Sequence, residues 1–201
     1  MALLIVVITA YLIGSVSFAV IVSRAFRLPD PREYGSGNPG ATNVLRSGRK
    51  AAAVLTLFGD SIKGWLAVFV AGQWIVEGTT MAMAFAAVAA ILGHMYPVFH
   101  GFKGGKGVAT ALGVLLALSP YLGLGVFATW ITIAVFFRYS SLAALISALF
   151  AVFFTLILFN AAHPFLFAVI VIAVLLIWRH RSNIHNLLAG KESRLGARAG
   201  R

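Results

Sequence analysis

The sequence predicts an all-α polytopic membrane protein: a bundle of about seven transmembrane helices, with its N-terminus outside and its C-terminus cytoplasmic. Three observations carry that prediction. The 201 residues are 61% hydrophobic and only 10% charged, with a mean hydropathy of +0.96, whereas a soluble domain is about a quarter charged. Apolar stretches recur at 2–22, 52–76, 79–96, 107–118, 121–137, 142–160 and 164–178. The basic residues, finally, collect in alternate connections between those stretches.

The elements follow in order. "MALLIVVITAYLIGSVSFAVIV" opens the chain without a positive charge ahead of it, and Arg24 and Arg27 come after it. A cleaved signal carries its charge first, so this run reads as a retained first span with its N-terminus outside. The 52–76 stretch contains Asp60 and Lys63. The 107–118 stretch is shorter than the roughly 20 residues a spanning helix needs; it must borrow from its flanks or stop partway. Pro120, "FRYSS" and "NAAHP" punctuate the later segments. With seven spans, residues 23–51, 97–106, Arg138 and the tail from Arg179 lie on one side. All of the 16 Lys and Arg except Lys63 then fall there, and the opposite loops hold only Glu77. Fusing 107–137 into one span would send Arg138 and the basic tail outward, against the tendency of cytoplasmic loops to collect Lys and Arg. Residues 1–193 read as a single integral-membrane domain and 194–201 as a basic, disordered tail.

The formal net charge of +11 is read as membrane topology with a contribution from anionic substrates, and not as a nucleic-acid surface. There is no cysteine, which excludes disulfides and thiolate nucleophiles. The five histidines show no metal-ligand spacing with carboxylates, and the five Asp and Glu are scattered. No metal and no cofactor are expected, and a Mg²⁺-dependent phosphotransferase, which needs paired acidic residues, is disfavoured. The absence of G-x-S-x-G removes the hydrolase elbow.

Three polar segments on the inside face stand apart from the apolar background. The first, "YGSGNPGATNVLRSG" (34–48), contains a G-x-G-x-x-G match at Gly35, Gly37 and Gly40. A dinucleotide site would need a strand before it and a βαβ unit around it, and "RLPDPREY" precedes it here. The surviving reading is physical. Glycines let backbone N–H groups approach an anion. Ser36, Asn38, Thr42 and Asn43 add hydrogen-bonding groups, and Arg46 adds a planar fork suited to phosphate.

The second segment, "GHMYPVFHGFKGGKGVAT" (93–110), resembles a Walker loop but has His100 and Gly107 where Gly and Ser or Thr are required. Lys103 and Lys106 among Gly104, Gly105 and Gly107 still make a cationic, backbone-exposing turn ahead of an apolar helix, whose N-terminus favours anions. In the third, "RHRSNIHNLLAGKE" (179–192), His180 and Asn183 share a helix face. His180 is a candidate general base, kept neutral by Arg179 and Arg181. The blander readings are topogenic turns and an interfacial amphipathic helix. Asp60 and Lys63, inside the second span, form either a structural ion pair or a wall of the site. Ser140 and Ser141 sit at the cytoplasmic edge as cap or site residues. A transporter for a phosphorylated metabolite would share the basic motifs, but it would also need polar groups continuing to the outer face, where "QWIVEGT" and "NAAHP" offer few.

Together these segments resemble the PlsY family of bacterial acyl-phosphate:glycerol-3-phosphate acyltransferases. The resemblance rests on "GSGNPGATNVLR" (35–46), "GHMYPVFHGFKGGKGVAT" (93–110), "HRSNIHNLLAGKE" (180–192) and "GDSIKG" (59–64), and runs essentially from end to end. The H-x-x-x-x-D signature of the common glycerolipid acyltransferases is missing. The resemblance implies a seven-helix enzyme of the bacterial inner membrane with its site facing the cytoplasm. It implies acyl transfer from an acyl phosphate to the sn-1 hydroxyl of glycerol 3-phosphate, without a covalent acyl-enzyme and without acyl-CoA or acyl carrier protein. Its functional positions would fall on Ser36, Asn38, Thr42, Asn43 and Arg46, on Lys103, Gly104, Gly105, Lys106 and Gly107, and on His180, Asn183 and Glu192. Ser141 would match its serine between the fifth and sixth spans. In sum, His180, Asn183, Ser36 and Arg46 are the expected catalytic residues. Gly37, Asn38, Gly40, Thr42, Asn43, Lys103 to Gly107, Ser141 and Glu192 are expected to bind substrate. The expected partners are the two small substrates and membrane lipid, with no nucleic acid and no obligate protein partner.

Overall fold

A computed structural model of the chain describes residues 1–74 and 78–196, so Glu77 and residues 197–201 lie outside the described residues. Among these residues every regular element is helical. In chain order they are α1 (Ala2–Ser15), α2 (Phe18–Ala25), α3 (Ala41–Leu45), α4 (Lys50–Trp74), α5 (Thr79–Met95), a 3-10 turn at Val98–His100, α6 (Val108–Leu118), α7 (Pro120–Phe137), α8 (Ser140–Leu158), α9 (Pro164–Arg179) and α10 (Arg181–Leu188). Five segments are long and apolar enough to cross a membrane: Ala2–Ala25, α4, α5, α7 and α8. A sixth arises if α9 and α10, bent by 58°, count as one span. The chain is an integral membrane protein. Large side chains such as Phe58, Trp65, Phe69, Phe136 and Phe153 are exposed on its outer surface, as lipid contact allows.

One expectation is corrected, and one open alternative is decided. The first apolar run is broken: Val16 and Ser17 are extended, and α2 restarts at Phe18. A broken helix leaves carbonyls without partners, and in hydrocarbon these must be satisfied internally. Lys63, on α4, donates to the Val16 carbonyl. Of its two alternatives, the 107–118 segment takes the second: it stops partway and borrows nothing from its flanks. Its helix has 11 residues, about 16 Å at 1.5 Å per residue, against roughly 30 Å of hydrocarbon. Ser119 ends it in extended conformation and caps α7 by accepting from the Leu122 N–H. The short helix therefore starts inside the bundle, and the glycine turn before it is drawn inward.

Small residues set the helix crossings. α1 packs on α5 and α4 on α6. A Cβ on Gly14 would collide with the Ala90 carbonyl, one on Gly93 with the Tyr11 carbonyl, and one on Gly113 with the Ser61 carbonyl. Without a hydrophobic drive between helices in lipid, such close backbone approach is how spans associate. α5 fills the centre with Ala82, Ala86, Ala87, Ala90 and Ile91, leaving α4, α6, α7, α8 and α9 to enclose a cavity beside it.

Candidate active site

A cavity of about 550 Å³ reaches from the three polar segments into the bundle. Its end at those segments is polar: Ser36, Asn38, Thr42, Arg46, Lys106, His180, Asn183 and Glu192 line it. Its deep end is apolar, walled by Leu115, Val126, Ala151, Val169 and Ile172.

The first segment is a loop wound around one amide. Asn43, buried on α3, accepts from the Ser36 N–H at 2.9 Å through Oδ1. Its Nδ2 donates to the carbonyls of Pro31 (2.7 Å) and Tyr34 (3.1 Å). Three hydrogen bonds nearly exhaust an Asn side chain, so Asn43 holds the loop from the cavity wall, and Ser36, Asn38, Gly40, Thr42 and Arg46 line the cavity with it. Gly37 does not line it. Its φ of +65° forms the turn, with its N–H donated to the Tyr34 carbonyl. The Arg46 guanidinium donates to Ser193 Oγ and lies 3.5 Å from Asn43 Oδ1.

The second segment divides. Lys103 is exposed and lies away from the cavity lining. Gly104 and Gly105 are buried behind it. A Cβ on Gly105 would strike His94 Nε2 and the Pro39 carbonyl, so a side chain here would push the first and second segments apart. Arg179 fixes this turn: its guanidinium donates to Gly104 O at 2.8 Å and to Gly105 O at 3.0 and 3.2 Å, and it sits over the Tyr96 ring. Lys106 and Gly107 reach the cavity, at the N-terminus of α6, where the helix dipole favours an anion.

The third segment is joined to the others by a chain of side chains. Lys106 Nζ donates to Asn183 Oδ1 at 2.6 Å, and Asn183 Nδ2 donates to Glu192 Oε1 at 2.7 Å. Ser141 Oγ donates to that same oxygen at 2.6 Å. His180, buried at the end of α9, has Nδ1 2.7 Å from the Leu176 carbonyl. A carbonyl only accepts, so Nδ1 carries the hydrogen and Nε2 presents a lone pair. Burial pushes the His180 imidazole down to about 4, against the Leu176 hydrogen bond, and the ring is neutral at pH 7. Burial likewise lowers Lys106 below its ordinary value, with Glu192 pulling the other way.

Beneath the polar end lies a buried cluster. Lys63 Nζ is 2.9 Å from Asp60 Oδ1, His94 Nδ1 is 3.7 Å from the same oxygen, and His94 Nδ1 is 3.1 Å from Thr110 Oγ1. Asp60 and His94 line the cavity and Lys63 does not. The pair is thus both an ion pair and, through Asp60, part of the wall. Among the described residues no group of three or more His, Asp or Glu is arranged to hold a metal ion. At the tail, the Leu195 N–H donates to the Arg138 carbonyl, which places 194–196 against the start of α8.

Sequence reasoning missed three contributors. In the sequence, Arg179 signals only an electrostatic effect on its neighbour His180. His94 and Thr110 carried no signal beyond lying within the second polar segment. Their roles depend on a turn folding into the bundle, which no local spacing encodes.

The family described as Glycerol-3-phosphate acyltransferase matches residues 4–190. A glycerol-3-phosphate acyltransferase of Ralstonia nicotianae is 64% identical over 193 residues, 94% of this chain and 92% of that protein. One of Burkholderia pseudomallei is 60% identical, over 98% of this chain and 97% of the relative. Two crystal structures of PlsY (YgiH), an integral membrane glycerol 3-phosphate acyltransferase, share the fold. The glycerol 3-phosphate form has a TM-score of 0.90 and 44% identity, covering 98% of this chain and 96% of that one. The lysophosphatidic acid form has a TM-score of 0.87 and 43% identity over the same shares. The chain belongs to the glycerol-3-phosphate acyltransferase family.

Proposed function

We propose that this protein transfers a fatty acyl group from an acyl phosphate to the sn-1 hydroxyl of glycerol 3-phosphate, giving lysophosphatidic acid and phosphate. The observation that carries the reading is a cavity that joins a cationic, hydrogen-bonding mouth to an apolar interior. Both substrates present phosphate, and one presents a hydrocarbon chain. The apolar deep end also argues against a transport path, which would need polar groups to continue through it.

The reaction needs no covalent intermediate. The hydroxyl oxygen attacks the acyl carbonyl carbon, the carbon–oxygen bond to phosphate breaks, and phosphate departs with the electron pair. Holding two reactants in line can supply roughly 7–11 kcal/mol of the barrier. Lys106 and the α6 N-terminus hold the acyl phosphate. Arg46, Ser36 and the first loop orient glycerol 3-phosphate. The His180 Nε2 lone pair accepts the hydroxyl proton. A ring with a pKa of about 4 is a weak base, but a phosphate dianion bound beside it raises that pKa by favouring the charged form. Asn183, tied between Lys106 and Glu192, sets the distance between donor and acceptor. Topologically, the reading counts α6 together with the inward-drawn turn before it, and α9, among seven membrane passes, with the N-terminus outside and the three polar segments at the cytoplasmic face of the bacterial inner membrane.

The test is stoichiometric. Purified protein given palmitoyl phosphate and glycerol 3-phosphate should release lysophosphatidic acid and inorganic phosphate one for one. Phosphate release without esterified product would mean hydrolysis, and would sink the transfer reading.

A further inference from the structure

The apolar half of the cavity contains two polar atoms that the acyl-transfer reading does not use. Trp130 Nε1 on α7 and Ser147 Oγ on α8 are both buried without a hydrogen-bond partner, and both residues line the cavity. Ser147 is 5% exposed. Other hydroxyls on the same two helices satisfy themselves locally: Thr129 Oγ1 donates to the Gly125 carbonyl at 2.9 Å and Thr155 Oγ1 to the Ala151 carbonyl at 2.6 Å. A buried indole N–H likewise normally finds a partner.

The two residues sit at one depth. α7 and α8 pack as an antiparallel hairpin, with only Arg138 and Tyr139 between them. Trp130 lies seven residues before Phe137 and Ser147 seven after Ser140, so each is about 10 Å along its helix from the hairpin turn. Ser140 and Ser141 line the polar mouth, which puts the pair partway down the chain-binding half, among Val126, Ala144 and Ala148. A cavity meant only for methylenes would be better served by apolar side chains at both positions, since an unpaired buried polar group is unfavourable.

Resting on the acyl-transfer reading, we propose that this cavity accepts acyl chains carrying a mid-chain oxygen, above all a hydroxyl, held between Trp130 Nε1 and Ser147 Oγ. The indole can only donate, so it requires an acceptor; the serine hydroxyl can accept. A secondary alcohol matches both, taking the indole hydrogen and giving its own to Ser147. A water molecule fits less well. It usually needs about three partners in a buried site, and with these two it would leave a hydrogen facing hydrocarbon. Trp130 and Ser147 are then specificity-determining residues for the chain, remote from the reacting atoms.

The experiment uses palmitoyl phosphate and a set of its mid-chain hydroxylated positional isomers, with glycerol 3-phosphate as acceptor, and reads the ratio of kcat/KM for hydroxylated over unsubstituted donor. For at least one position the ratio should be near or above one. It should fall about tenfold in Ser147→Ala and in Trp130→Phe, the loss of one buried hydrogen bond. A ratio below about one in a hundred at every position overturns the proposal. So does a ratio that both variants leave unchanged, which would assign the two atoms to a bound water or to packing. Failure of the unsubstituted palmitoyl phosphate itself would overturn the acyl-transfer reading instead.

Discussion

Lys106 Nζ and Asn183 Oδ1 are 2.6 Å apart, joining the turn before α6 to the helix after α9 across 77 positions of sequence. This bond ties the second polar segment to the third, and through Glu192 and Ser141 to α8. If the pair sets substrate geometry as a unit, its two halves should not act independently. Lys106→Met and Asn183→Ala should each lower kcat/KM roughly 10- to 100-fold, the range for a charge-assisted hydrogen bond. The double variant should lose much less than the product of the two. Strict additivity in steady-state kinetics would separate the residues.

Arg179 supports the site without lining it. One guanidinium makes three hydrogen bonds to the Gly104 and Gly105 carbonyls, a fork that an ammonium cannot reproduce. Arg179→Lys should cost about 1–3 kcal/mol and lower the thermal midpoint of the detergent-solubilised protein by several degrees. kcat/KM should fall with it, because Lys106 follows the clamped turn. An unchanged midpoint would show that the turn holds its shape without the clamp.

His180 gives the stability a pH dependence of definite sign. Its pKa is about 4 in the fold, from an ordinary 6.5. Above pH 6.5 the ring is neutral in both states and contributes no slope. Between pH 6.5 and 4 the unfolded chain takes up a proton that the folded protein refuses, so stability falls by roughly 3 kcal/mol across that window. Thermal unfolding of the wild type and His180→Gln, measured from pH 7.5 to 4.5, should show the wild type losing more on acidification. Parallel curves would mean that His180 titrates normally.

Asp60 and Lys63 are 2% and 3% exposed and 2.9 Å apart. Removing one member of a buried pair typically costs about 3–5 kcal/mol, because the other charge is left unpaired. Lys63→Met should therefore unfold at much lower temperature than the wild type, with Asp60→Asn/Lys63→Met recovering part of the loss. A double variant worse than either single one would show that the Lys63 bond to Val16 O, at the break between α1 and α2, matters more than the charge pair.

Much of this was legible in the sequence, for reasons that differ by residue. The candidate spans α4, α5, α7 and α8 follow from apolar length, which lipid enforces on any crossing helix. The mouth residues Ser36, Arg46, Lys106, His180 and Asn183 stood out because polar groups concentrated in so apolar a chain need a reason. The break at Val16–Ser17 did not show, since "GSVSF" reads as continuous hydropathy and the compensating Lys63 lies 47 positions away. Lys103 and Lys106 looked equivalent three residues apart. Only the inward path of Gly104 and Gly105, with no room for side chains against His94, sends one to the cavity and the other to solvent. Asn43 lines the cavity as its place in the first segment suggests, but its second task of holding the loop was not legible, because its partners Pro31 and Tyr34 precede it by distances no pattern marks.

The most direct test of the central claim is a donor comparison. Purified protein would be supplied with glycerol 3-phosphate and palmitoyl phosphate, palmitoyl-CoA or palmitoyl carrier protein, and lysophosphatidic acid quantified. A cavity whose cations grip the leaving phosphate predicts product from the acyl phosphate alone. Product from the thioesters, with none from the acyl phosphate, would contradict it and leave Lys106 and the α6 N-terminus without the donor phosphate assigned to them.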